Sequence, residues 1–119
     1  MANRDKLRQL TVGAKKNFRK EIVKYDGEDF ELRQPSVADR DELMEQCQGE
    51  DGKLRMTEFI TWTLINNCYV PGTDERVFGK GDYEALKSQP TGGFVDELGN
   101  AAVRVMNVQE EEVKNSEDG

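Results

Sequence analysis

The sequence predicts an α+β, mainly α-helical fold: a short N-terminal β-hairpin packed on three to four helices. Three observations carry that prediction. Asp26-Gly27 is a two-residue turn signal between two alternating segments. Ser36 directly follows Pro35 and opens a segment with an acid three residues on, which reads as a helix start. Apolar residues then recur at three-and-four spacing from Met56 to Cys68, the strongest helical period in the chain. The 119 residues fit one domain, taken as residues 1–108, followed by a disordered acidic tail at 109–119.

The elements follow in order. Arg4 to Val12 has Leu7 and Leu10 three apart and can make two helical turns, too few to stand without docking. The hairpin spans about 18–34. A type I′ turn at Asp26-Gly27 sets Tyr25 opposite Glu28, Lys24 opposite Asp29, Val23 opposite Phe30 and Glu21 opposite Leu32. Tyr25, Val23, Phe30 and Leu32 then share one face. Ile22 falls on the other face, where the first helix is expected to cover it.

Gln34-Pro35 ends the second strand, because proline cannot donate to a ladder and biases its predecessor to extended geometry. A helix over about 36–48 buries Val37, Leu43, Met44 and Cys47, and Gly49 with Asp51-Gly52 breaks it. A second helix over 55–69 buries the stripe Met56, Phe59, Ile60, Thr63, Leu64, Asn67 and Cys68, with Trp62, Ile65 and Tyr69 off that stripe. Pro71-Gly72 terminates it. Asp82 is expected to cap a short helix over 82–88, and a last helix over 94–108 buries Phe94, Leu98, Ala101, Val105 and Val108. The tail holds one apolar residue, Val113, which cannot offset the entropy of ordering it.

Composition excludes more functions than it suggests. The chain has no His, which removes the commonest catalytic base and the commonest zinc ligand. No enzyme is expected, and neither metal nor cofactor. The acids at Asp39, Asp41, Glu42 and Glu45 have the spacing of a solvated helical face. Glu50-Asp51-Gly52 lacks the alternating oxygen ligands and the twelfth-position Glu of a calcium loop. Gly79-Lys80-Gly81 and Gly92-Gly93 lack the spacing of a phosphate loop. Cys47 and Cys68 fall at apolar positions and read as reduced core residues. No apolar run approaches the roughly 20 residues of a membrane span, and the charged start MANRDKLRQL is unlike a secretory signal, so a cytoplasmic protein is expected.

Charge is unevenly placed. The net charge is -7, with 17 basic and 24 acidic residues and a mean hydropathy of -0.82. Yet residues 1–24 carry eight basic and two acidic side chains. Lys15, Lys16, Arg19, Lys20 and Lys24 suit either a phosphate-contacting arm or the charged edge of a small sheet. The strong negative balance of the remainder favours the sheet edge over nucleic acid. A third possibility is self-association, with this basic segment against the acidic surface of another copy. Trp62, Tyr69, Val70 and Phe78 are the candidates for a protein-binding surface; the alternative is that they complete a small core.

The order of the pieces adds to this. A basic stretch leads into FELRQPSVADRDEL at 30–43, then an aromatic-bearing helix at 59–69, then VFGKGDYEAL at 77–86, a Pro-Gly-Gly break, a final helix and an acidic tail. Over about residues 15–113 this resembles the tail assembly chaperones of long-tailed bacteriophages and prophages. In that group an apolar-x-Leu-Arg-x-Pro-Ser strand leads into the first core helix. The resemblance implies a noncatalytic protein of the host bacterial cytoplasm. It would bind the hydrophobic, helical tape measure protein, keep it soluble until tail tube subunits polymerise around it, and be absent from the finished virion. The alternatives are a tail structural or connector protein retained in the particle, and a small nucleic-acid-binding regulator.

Overall fold

The computed structural model describes residues 3–12 and 18–106. Lys15, Lys16, Val108 and the acidic tail lie outside the described residues. The fold is α+β and mainly helical. In chain order it runs α1 (Arg4–Leu10), β1 (Lys20–Tyr25), β2 (Glu28–Arg33), α2 (Val37–Gln46), α3 (Met56–Asn67), β3 (Cys68–Tyr69), a 3₁₀ turn (Lys80–Asp82), α4 (Tyr83–Lys87) and α5 (Phe94–Met106).

The hairpin register is the expected one, with Tyr25 opposite Glu28, Lys24 opposite Asp29, Val23 opposite Phe30 and Glu21 opposite Leu32. Asp26 and Gly27 have φ of 52° and 82°, the two left-handed positions that a type I′ turn needs. The shared face turns inward: Leu32 is fully buried, and Val23, Tyr25 and Phe30 pack partly buried against the core.

The sheet has three strands, because the chain leaves α3 earlier than its sequence pattern predicts. Cys68 has φ -101° and ψ 125°, and Cys68 and Tyr69 pair with Leu32 and Glu31 as an antiparallel strand. Cys68 keeps the buried position that the helical period assigned to it, but as a strand residue. Pairing there satisfies backbone groups of β2 that would otherwise form an open edge. The order is β1-β2-β3, so β1 remains an edge.

Ser36 caps α2 as predicted, its Oγ accepting a hydrogen bond from the Asp39 backbone N–H at 3.1 Å. Leu43 and Cys47 are buried and Met44 packs against them. Val37 was expected in the same stripe and is instead 67% exposed. Burial along α2 begins only at Arg40, so its first turn projects past the elements that cover the rest. Between α2 and α3 a tight loop is clamped by a Gln48–Leu54 bridge and buries Leu54.

The α3 helix is the centre of the molecule. Phe59, Thr61, Thr63, Leu64 and Ile65 are all buried, so its apolar surface wraps well beyond one stripe. The Thr61 and Thr63 hydroxyls donate to the carbonyls one turn back, Thr57 and Phe59, each at 2.7 Å, which satisfies them inside the core. One side of α3 meets α5 closely: a methyl group built on Gly99 would lie 3.1 Å from the Ile60 Cδ1. Along α5, Leu98, Ala101 and Val105 are buried as expected, and Ala102 and Met106 extend that face. Phe94 collects three aromatic neighbours, Tyr25 and Phe30 at 5.2 Å and Phe78 at 5.7 Å between ring centroids.

Asp82 caps a different turn from the one expected. Its carboxylate accepts from the Gly79 backbone N–H at 2.8 Å, so it closes the 3₁₀ turn before α4 rather than starting α4. The first helix also differs. It ends at Leu10 rather than Val12, none of its residues is buried, and Ile22 stays 52% exposed instead of being covered by it.

Candidate functional site

Two features stand out on the surface: a groove beside the third strand, and the bare first helix. The groove lies where the end of β2, the length of α2, the end of α3, β3 and the end of α5 converge. It encloses about 500 Å³. Phe18, Pro35, Leu43, Tyr69 and Met106 supply apolar lining, and Gln34, Gln46, Asn66 and Asn67 supply amides. Asp39 and Glu42 stand along its α2 side, three residues apart and therefore on one helical face.

The opposite side is held by Arg33 and Arg76. Arg33 donates through Nε to the Glu31 carboxylate at 2.6 Å, through Nη1 to Asp74 at 3.0 Å, and through Nη2 to the Thr73 carbonyl. Its guanidinium lies 3.8 Å from the centre of the Tyr69 ring. Arg76 donates to the Asn66 carbonyl at 3.2 Å and approaches the same ring at 5.8 Å. These contacts strap the 70–76 loop onto the sheet. Gly72 also donates its N–H to Glu31 at 3.2 Å.

Glu31 is a carboxylate only 4% exposed. Burial pulls its pKa upward, but the Arg33 hydrogen bond, the Gly72 N–H and the charges of Arg33 and Lys20 outweigh burial and hold it below the usual carboxylate value. Arg33 is pushed up, first by the Glu31 hydrogen bond. Both arginines are therefore committed within the chain. Asp39 and Glu42 line the groove together with Arg33 and Arg76, so its lining carries charge of both signs.

The four residues proposed for partner binding make different contacts. Trp62 stacks on Tyr83 with centroids 4.8 Å apart, which seats α4 on α3. Phe78 packs edge-on against Phe94. Tyr69 sits beneath Arg33 and lines the groove. Val70 is 38% exposed at the loop that follows. Trp62 and Phe78 thus have structural work inside the chain, whereas Tyr69 and Val70 border open surface. Phe18, Asp39 and Glu42 were not singled out as a partner site from the sequence. Phe18 adjoins the basic run in sequence, and the two acids have the spacing of a solvated helical face. No local spacing connects them, because the groove forms only when β3 pairs with β2.

The remaining large exposed apolar side chains lie mostly at the N-terminal end: Leu7 is 52%, Leu10 69% and Val12 70% exposed, with Phe18 at 41%. Burial pushes the thiols of Cys47 and Cys68 up, to about 11 and about 12, with the Glu58 charge adding to the first. Among the described residues no group of three or more His, Cys, Asp or Glu side chains could hold a metal ion. No described helix is long and apolar enough to cross a membrane. Comparison with protein-family models, with curated proteins and with solved structures gives no match for this chain.

Proposed function

We propose that the protein is a phage tail assembly chaperone of the host bacterial cytoplasm. In this reading it binds the tape measure protein, keeps it soluble, helps recruit tail tube subunits and does not remain in the virion. The observation that carries the reading is the segment FELRQPSVADRDEL at 30–43, with VFGKGDYEAL at 77–86 in the same order as in that family. The physical character of the surface supports it. An acidic protein with a net charge of -7 adds charge to an aggregation-prone partner, and exposed apolar side chains offer contacts to cover its apolar patches. Of the four candidate contact residues, Val70 is exposed and Tyr69 lines the groove, and an apolar face laid in a groove is a common way to hold a helix.

Co-expression with the tape measure protein tests this. The expected result is several-fold more soluble tape measure than with an unrelated acidic protein of the same size. Val70→Asp should reduce that gain while leaving the circular dichroism unchanged. Equal solubility with the unrelated protein overturns the chaperone reading. Finding the protein in purified virions overturns its departure and favours a retained tail structural protein.

A further inference from the structure

The first strand leaves one ladder open. In a hairpin closed by a two-residue turn, Tyr25–Glu28, Val23–Phe30 and Glu21–Leu32 are the pairs that exchange hydrogen bonds. The alternation continues at Arg19, whose carbonyl accepts from the Gln34 N–H at 2.8 Å. The backbone N–H and C=O groups of Lys20, Ile22 and Lys24 therefore point away from β2, and no described strand pairs with them. Ile22, on the outer face of this edge, is 52% exposed. Charge along the edge has a polarity. Arg19 and Lys20 lie at its start, whereas Asp26, Glu28 and Asp29 gather at the turn, where Lys24 already pairs with Asp29 at 3.8 Å. Lys20 stands opposite Arg33, whose charge is met by Glu31 and Asp74, and Lys20 itself has no ion pair among the described residues.

The last helix delivers a chain to this edge. Helix α5 runs back along β1: Phe94 meets Tyr25 at 5.2 Å between ring centroids, while Arg104 pairs with Glu21 and its carbonyl accepts from the Arg19 guanidinium at 2.7 Å. A segment that follows such a helix into the sheet runs parallel to β1, the geometry of a strand after a crossover helix. Four residues, 107–110, separate α5 from Glu111, an ordinary length for such a connection. Fully extended, those steps reach about 17 Å. The segment EEEVKN at 110–115 then has the charge order of the edge in that direction only. Its acids come first, beside Arg19 and Lys20, and Lys114 falls toward the acidic turn. Run antiparallel, it would set its acids against those of the turn. Strand residues alternate faces, so Glu111 and Val113 share a face as Lys20 and Ile22 do.

We infer that residues 110–115 of the same chain add to β1 as a fourth, parallel strand, with Glu111 beside Lys20 and Val113 beside Ile22. Burial of Val113 alone does not order the segment; the ladder hydrogen bonds and the ion pair act with it. The added strand covers an edge otherwise open to pairing with another chain. It stands independently of the chaperone reading, since no other protein takes part.

Amide hydrogen exchange on the full chain, read residue by residue by NMR, tests this. In the inferred register the Ile22 N–H donates to the Glu112 carbonyl, and the Ile22 carbonyl accepts from the Lys114 N–H. At about 20 mM salt, where screening is weak, the Ile22 amide should exchange at least about tenfold more slowly in the wild type than in Lys114→Pro, which removes that donor. The difference should shrink at about 500 mM salt. Lys20→Glu should lose the protection, and Lys20→Glu with Glu111→Lys should regain it. The Leu64 amide, in the core of α3, shows in the same spectra that each variant is folded. Equal Ile22 exchange in the wild type and Lys114→Pro overturns the inference, as does a folded charge-swapped variant that stays unprotected. Protection that rises with protein concentration from about 20 μM to about 1 mM overturns it too, since the strand would then come from a second copy.

Discussion

Replacing Arg33 with Met tests the strap that holds the 70–76 loop on the sheet. The substitution keeps an unbranched apolar stem over Tyr69 but removes the guanidinium. Glu31 would then hold a carboxylate only 4% exposed with the Gly72 N–H as its remaining hydrogen bond. Removing one partner of a buried pair costs about 3–5 kcal/mol, and the lower end applies here because the Arg33 side chain is 18% exposed. The lost hydrogen bonds to Asp74 and the Thr73 carbonyl lie at the surface and add little. With an unfolding entropy of about 2.1 cal/mol/K per residue, about 3 kcal/mol lowers the Tm of a chain this long by about 12 °C. Urea unfolding followed by circular dichroism gives the free energy directly. The double variant Glu31→Leu with Arg33→Met should recover more than half of the loss, because the stranded charge is gone. The pH dependence supplies an independent check. In the wild type the Glu31 pKa is held below its ordinary value of 4.5, so its contribution is complete above that pH and fades as pH falls through the folded-state value. In the variant, burial acts with little opposition and raises that pKa, so protonation relieves the variant as pH falls. The gap between the two proteins should narrow below about pH 5. A loss under 1 kcal/mol, or a gap that does not change with pH, would refute the assignment of Glu31 and Arg33 as a coupled buried pair.

Two further outcomes follow from the geometry. Cys47 and Cys68 are 1% and 0% exposed with raised pKa values, so a thiol reagent at pH 8 should label less than about a tenth of them in the native protein and both in urea; fast native labelling would show that the core opens readily. Ser36→Ala removes the one side-chain cap of α2 and should cost about 1 kcal/mol, or about 4 °C in Tm, while Ser36→Asp should be near neutral; equal losses for both would show that the hydroxyl contributes through something other than capping.

What the sequence determined by itself was the structure whose causes are local. The hairpin register follows from Asp26-Gly27, because only two consecutive positive-φ residues make that turn and the turn then fixes every cross-strand pair. The start of α2 follows from Pro35-Ser36, since the cap hydrogen bond spans three residues. The buried face of α5 follows from its 3.6-residue period. Tertiary structure decided the rest. Cys68 and Tyr69 read equally well as a last helical turn, and only the open ladder of β2 draws them into a strand. Val37 fits the apolar stripe of α2, but no described residue buries it. The ring partners of Trp62 and Phe78 are not legible in the chain, because Tyr83 and Phe94 reach them only in the folded structure. The groove is the extreme case: Phe18, Asp39, Tyr69 and Met106 are separated by tens of residues and meet only when β3 closes on β2. Periodicity and capping act over one or two turns of chain, whereas which surfaces are covered depends on which distant segments reach them.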